Sequence, residues 1–489
     1  MSEPPLSDED PPETKNVCFA CVGDEYLSAK IKRLGASKPC SYCGEKRRVI
    51  PIEELADHVE TAFEQHYERT SPDPDDFEHM MMSDRESGYT FLRHGDPVVW
   101  AIAGAAEIDE TIAADVQRIL EERHADIEMA KAGEECEFAS ESYYEAQDTN
   151  DVELRHEWQY FEHSLKTQSR FFNKHAEAVL AELFDGLLEH ETFDGRRVVI
   201  ELGPGREIAS LFRTRVFQSE GPLKEALERP DKGLGPPPEG VATGGRMNAR
   251  GISVFYGALE AEIALAEIRP PVGSRVMLGK FELARVLKVL DVEALRSVLV
   301  KGSVFDGGHL HKLERAKFLG RLSERITRPI MPDDEPSDYL VTQAIAEYLA
   351  SRVGLDGILY PSAQAGGAKK NVVLFHHASR VKPLELPPNT ELEARTRMTT
   401  SDGQEADYWV SEEVPEPKPA PVPQRDRAFP FIALEPSETE SAGDADFRDV
   451  TLNLDLESVE VHHVEAVSFR TTAHSVRRHR WQKRSEPDF

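Results

Sequence analysis

Two groups of residues have the types and spacing to do chemistry. The first runs from Gly244 to Arg269, GGRMNARGISVFYGALEAEIALAEIR: two glycines precede Arg246, a β-type run (Ile252, Val254, Tyr256) follows, and an alanine-rich helical segment delivers Glu267. Gly244 and Gly245 allow positive φ and close approach of the backbone to a ligand. Arg246 offers a planar donor fork suited to phosphate. None of these residues marks a site alone, but an arginine, a strand aromatic and a carboxylate one helix later can converge on one pocket. The second group is Cys18, Cys21, Cys40 and Cys43, two CxxC pairs separated by 18 residues. Each pair forms a knuckle that aims two thiolates at one tetrahedral ion. Four cysteines leave no open position for a catalytic water, so the expectation is a structural zinc. Gly44 suits the turn of the second knuckle, and Cys136, in EECEFAS, is read as a bystander.

The elements that must position these groups follow from periodicity. Residues 51–69 read as a helix, with Pro51 at its first position and Leu55, Val59, Phe63 and Tyr67 on one face. Residues 70–84 read as a loop, and further helical patterns cover about 107–131, 140–147, 151–173 and 174–190, giving an α-helical bundle. Val198 to Leu202 is a short strand, and the GPGRE turn after it is read as a domain junction. Residues 277–295 look like a strand followed by a short helix, and 339–353 like a helix capped by Gly354. His309 and His311 are read as polar loop residues, with no catalytic metal implied. Residues 384–446 have the composition of a linker or extended arm. Residues 449–469 alternate like two strands, and 474–484 form a basic tail expected to dock on the acidic body or on a partner.

A chain of 489 residues exceeds one core and suggests about three domains. Its formal charge of −31 argues against general nucleic-acid binding. No apolar run is long enough to span a bilayer, and the acidic, proline-rich N-terminus does not read as a signal peptide, so no membrane association and a cytoplasmic location are expected. Five cysteines do not make a disulfide scaffold.

The stretch around GGRMN resembles the RES domain family, bacterial NAD-degrading toxins with a core similar to ADP-ribosyltransferases. LFRTRVF at 211–217 lies upstream of it and YLVTQAIAEYLASRVGLDGILYPSAQAGGAKKNVVLF at 339–375 downstream, in the family's order, so the resemblance spans about 170 residues, 210–383. It implies that Arg246 and Arg213 or Arg215 grip the diphosphate of NAD, spacing favouring Arg213. It implies further that Tyr256 stacks on nicotinamide, that Glu267 favours the ribosyl cation or orients phosphate or water, and that Ser362 bonds the ribose or Glu267. Asn371 is a weaker carry-over. Met247 stands where the family has an aromatic, and its apolar side chain should preserve the packing. The basic loop 364–370 is read first as plain surface, with closure over phosphate as the alternative.

A zinc knuckle, helices and a RES domain in that order are similar to the HEPN-like modules attached to some RES proteins. Arg118 and His124 have the spacing of the HEPN ribonuclease pair, kept as a minor alternative to a solvated face. The expected fold is therefore α+β: a four-cysteine zinc knuckle (14–50), a HEPN-like α-helical bundle (51–192), a mixed α+β RES domain (196–385), and a C-terminal linker, strand and basic tail (386–489). The expected activity is cleavage of NAD, as substrate, by phosphate or water, with structural zinc. Transfer of ADP-ribose to a macromolecule and NAD sensing without cleavage are the alternatives. The resemblance also implies an antitoxin-like or regulatory partner, and a homo-oligomer is compatible with the sequence.

Overall fold

The computed structural model describes residues 14–84, 88–328, 335–364, 369–400, 403–415, 446–468 and 471–481. The N-terminal acidic run, the middle of the 364–370 loop, most of the proline-rich 412–424 stretch and the end of the basic tail lie outside the described residues. The chain divides into two compact units: one runs through Val198 and includes Glu293–Ile326, the other holds Val199–Val292 and the chain from Thr327 onward.

In the first unit the knuckles sit on a three-stranded antiparallel sheet, with Lys46–Pro51 between Asn16–Cys18 and Ala36–Pro39. The stretch between the CxxC pairs is not merely a loop. It forms the helix Glu25–Leu34, capped by Asp24, whose carboxylate accepts the Leu27 N–H at 2.8 Å. The stripe at four-residue spacing is buried as expected from Leu55 to Phe63, whereas Tyr67, expected on the same helix face, begins the strand Tyr67–Arg69. The helix Ile52–His66, with Pro51 as its cap, packs Leu55, Val59 and Phe63 in one cluster with Val98 and Ile102 of Val98–Ala106 and Ile112, Val116 and Leu120 of Glu110–Arg123. Val17, Leu27, Ile31 and Ile50 join the same cluster, so the knuckle and the helices share one apolar core.

Three other expectations fail in this unit. Residues 140–147 are not helical: Tyr143–Ala146 is a strand between Tyr67–Arg69 and Asp96–Pro97. Adjacent tyrosines favour a pleated, half-buried surface, and buried Tyr144 donates to Glu137 at 2.6 Å. Within 70–84, Asp76–Ser83 is helical, opened by a reciprocal capping box between Asp75 and Glu78. His309 is not a loop residue but the buried start of the helix His309–Thr327. That helix is held by Phe318 against Trp158, with ring centroids 5.5 Å apart, and by the pairs Arg321–Asp151 and Arg325–Glu162 at 3.1 and 2.5 Å.

The second unit is built on an eight-stranded sheet. In chain order its strands are β1 (Val199–Leu202), β2 (Ser210–Phe217), β3 (Phe255–Ala258), β4 (Arg275–Leu283), β5 (Leu287–Asp291), β6 (Gly357–Pro361), β7 (Lys370–Leu374) and β8 (Leu452–His463). Across the sheet they run β8-β4-β2-β3-β7-β6-β5-β1, with β5 and β6 parallel and the other neighbours antiparallel. Leu211, Phe255, Met277, Phe281, Val372 and Leu374 form the core on one side. On the other side the helix Ala261–Glu267 packs Ile263 and Ala264 on Ala258 and Leu278. The joint between β2 and β3 is a single residue pair, Phe212 with Ala258, which leaves groups beside it to line a cavity.

The tail of the chain differs from its expected form. Within 449–469 there is one strand, Leu452–His463, where two were expected; a turn at Asp455, whose carboxylate accepts the Glu457 N–H at 3.1 Å, interrupts its pairing without ending it. The register shifts there: residues 456–459 of β8 bulge opposite Gly279, between the pairs Leu278–Glu460 and Lys280–Asp455. Within the expected linker, Glu391–Thr400 and Gly403–Glu413 form a hairpin, and Thr396 donates to Glu220 at 2.8 Å. Gly354 caps its helix with φ +77° as expected. Among the described residues no helix is long and apolar enough to cross a membrane.

Candidate active site

Glu267 ends its helix and is exposed, and Ser362, 1% exposed just beyond β6, donates to its Oε2 at 2.9 Å. A buried hydroxyl thus fixes an accessible carboxylate. Glu267 lies at the edge of a cavity of about 200 Å³ also lined by Arg213, Tyr256, Tyr360 and Asn371, with Ala258, Ala264 and Ile268 as its apolar wall. The strands explain the convergence. Asn371 is paired with Ala258 on one side and Tyr360 on the other, and Tyr256 lies two residues from Ala258, on the same face of β3.

Arg213 lies on β2 beside the single-pair joint, with its guanidinium 4.8 Å from the centroid of the Phe255 ring. Its Nη1 is buried and has no hydrogen-bond partner among the described residues. Burial, and next the charge of Arg215, lowers its pKa to about 10, against a counteracting effect of Tyr256. Arg215 does not line the cavity: it donates to the Gly233 carbonyl at 3.0 Å. Tyr360 was not singled out in the sequence. It lies two residues before Ser362, and strand alternation from that serine would have found it. Burial raises the pKa of both tyrosines, that of Tyr256 to about 12.

Arg246 is placed differently. It does not line this cavity; its Nη2 donates to the Arg328 carbonyl at 2.8 Å and its guanidinium lies 5.7 Å from the Tyr339 ring centroid. Its loop is nonetheless tied to the site. Tyr256 Oη donates to Asn248 Oδ1 at 2.8 Å and accepts the Met247 N–H at 3.1 Å, while Gln343 donates to the Gly245 carbonyl at 2.8 Å. Neither Gly244 nor Gly245 takes positive φ, contrary to expectation. Gly245 is required by crowding instead, since a Cβ there would lie 2.6 Å from Tyr256 Oη. Met247 is buried. It also lines a larger cavity of about 460 Å³ with Asn248, Phe375 and His376, which includes none of the residues expected to touch substrate.

The four knuckle sulfurs lie within 4.8 Å of one another, with Sγ–Sγ distances of 3.6 Å (Cys18–Cys21), 3.7 Å (Cys18–Cys43) and 3.9 Å (Cys21–Cys40). A tetrahedral zinc with Zn–S bonds of about 2.3 Å needs edges of about 3.8 Å, so this donor set fits zinc. Backbone turns support it: Cys21 N–H donates to the Cys18 carbonyl at 3.0 Å and Gly44 N–H, at φ +76°, to that of Cys40 at 2.9 Å. Cys136 lies outside this cluster. Arg118 and His124 are not brought together. Six residues set them about 240° apart on a helix, and each has its own carboxylate, Glu122 at 3.2 Å and Glu60 at 2.6 Å.

Comparison with known proteins identifies two domains. The RES domain model matches residues 215–393, and the model described as HEPN/RES N-terminal domain 1 matches 34–179. No curated protein matches the chain. Among solved structures, the M. tuberculosis MbcT–MbcA toxin–antitoxin complex is similar at 16% identity over 36% of this chain and 78% of that chain, with a TM-score of 0.19, too low to support a structural argument. The two family matches and the motifs that precede them agree: the chain carries a HEPN/RES N-terminal domain over 34–179 and, after it, a RES domain over 215–393.

Proposed function

We propose that the chain is a RES-type toxin that consumes NAD by cleaving the bond between nicotinamide and ribose, with phosphate or water as acceptor. The observation that carries this reading is the convergence of Glu267, oriented by Ser362, with Arg213, Tyr256 and Asn371 on one cavity. Loss of nicotinamide builds positive charge on the ribose, and an accessible carboxylate held by a buried hydroxyl is suited to favour that charge or to orient the nucleophile. Tyr256 supplies an aromatic face for the leaving ring. Arg213 offers positive charge to the diphosphate, and Arg246, on the loop tied to Tyr256, is the second cation for it.

We assign the four knuckle cysteines to a structural zinc that holds the first core together, and take 14–50, 51–192, 196–385 and 386–489 as working domain limits. A cell making such an enzyme needs to silence it, so an antitoxin-like protein is the proposed partner. Chromatography of NAD incubated with the pure full-length chain, with and without phosphate, tests the reading. Free nicotinamide with ADP-ribose 1″-phosphate supports phosphorolysis, and with ADP-ribose hydrolysis. ADP-ribosylated protein would replace both with transfer, and intact NAD would leave only a sensing role.

A further inference from the structure

We infer that Asn371 reads the carboxamide of the nicotinamide ring, so that the cavity selects a primary amide over a carboxylate; this rests on the NAD reading above. Asn371 is 1% exposed on β7 and lines the cavity, and neither Oδ1 nor Nδ2 has a hydrogen-bond partner among the described residues. An unpaired buried amide weakens a fold, and native cores hold few of them. The next residues on β7, Val372, Val373 and Leu374, are apolar and buried, so the strand itself has no need of an amide there. Asn248 shows the contrast. It is 5% exposed, and its Nδ2 donates to the carbonyls of Thr243, Ala249 and Ile252 while its Oδ1 accepts from Tyr256. One buried asparagine in this unit is fully used, and the other is left with a donor and an acceptor side by side.

A primary carboxamide satisfies that pair head to tail, its N–H donating to Oδ1 and its oxygen accepting from Nδ2. A carboxylate would accept from Nδ2 but set its other lone pairs against Oδ1. Arg213 pulls the other way, since its charge in the same cavity favours a carboxylate. Asn371 Oδ1 is therefore the group that turns the preference toward the amide. The volume agrees: about 200 Å³ is below the roughly 300–1,000 Å³ of sites that hold whole small molecules. The cavity is sized for one end group of the dinucleotide, between Tyr256 and Tyr360.

The test uses the full-length chain with nicotinamide and nicotinate as binding probes, and NAD and its deamidated analogue as turnover substrates. Nicotinamide should bind roughly 10- to 100-fold tighter than nicotinate. In Asn371→Ala that ratio should fall to one or below, because Arg213 remains. Asn371→Leu should lose nicotinamide binding and melt at a higher temperature than the wild type, whereas an asparagine with a purely structural role would make it melt lower. Equal binding of the two probes by the wild type, or a preference unchanged in Asn371→Ala, overturns the inference. If NAD stays intact but the Asn371-dependent preference is found, cleavage fails and this inference stands. If NAD and its deamidated analogue are consumed at equal kcat/KM, the reverse holds.

Discussion

The cysteine knuckle and the RES cavity are both built from polar groups that meet inside a fold, but they treat those groups in opposite ways. In the knuckle, four thiols from 26 consecutive positions (Cys18 to Cys43) face one point and are backed by local turns. In the cavity, groups from β2, β3, β6, β7 and one helix meet across more than 150 positions, and Asn371 and Arg213 keep atoms that no described residue pairs. A knuckle closed on itself contributes stability. A cavity with unpaired donors and acceptors gives up stability to hold a ligand.

The largest effect should come from breaking the closed side. Chelation, or Cys40→Ser, should abolish the melting transition of the first unit, because structural zinc binding is worth on the order of 10 kcal/mol of folding free energy. Two-step calorimetry with metal analysis checks this, and one zinc per chain is expected. A transition unmoved by chelation would remove the contrast. On the open side, Glu267→Gln should lower kcat for NAD by about 10²–10⁴-fold while the second unit melts as before. Ser362→Ala should cost less, about tenfold in kcat with little change in KM, since it only positions Glu267. Steady-state kinetics separates the two.

The smallest effect concerns pH. Burial lowers the pKa of His58, His66, His190 and His309 in the first unit, although His94 is raised by Glu78. A lowered histidine is neutral in the fold, so its contribution is full above the unfolded pKa near 6.5 and is lost as pH falls below it. Melting of the first unit should drop by a few degrees between pH 7 and pH 5.5, measured with zinc in excess.

The same contrast explains what could be read from the sequence. Cys18, Cys21, Cys40 and Cys43 were legible because a knuckle is local and its spacing is its geometry, and the Leu55–Val59–Phe63 stripe because a helix repeats. Arg213, Tyr256, Glu267 and Asn371 came from family order; periodicity alone would not have joined them, since their meeting depends on strand pairing across the sheet. Tyr360 was missed for that reason, although alternation from Ser362 pointed to it. Other misses were local signals masked by composition. Asp75 and Glu78 spell a capping box inside a Pro-Asp-Met run, and Leu392, Ala394, Thr396 and Met398 alternate like a strand in a stretch that otherwise reads as linker.

The pairing of β8 with β4 has a consequence for biosynthesis. Arg275–Leu283 meets its outer neighbour, Leu452–His463, only after roughly 170 further residues have been made, which at ribosomal speed is about 10–35 s. Throughout that interval the nascent sheet shows an open edge to other chains, and a ribosome stalled near residue 400 would release a product with every expected catalytic group in place and its flank unguarded.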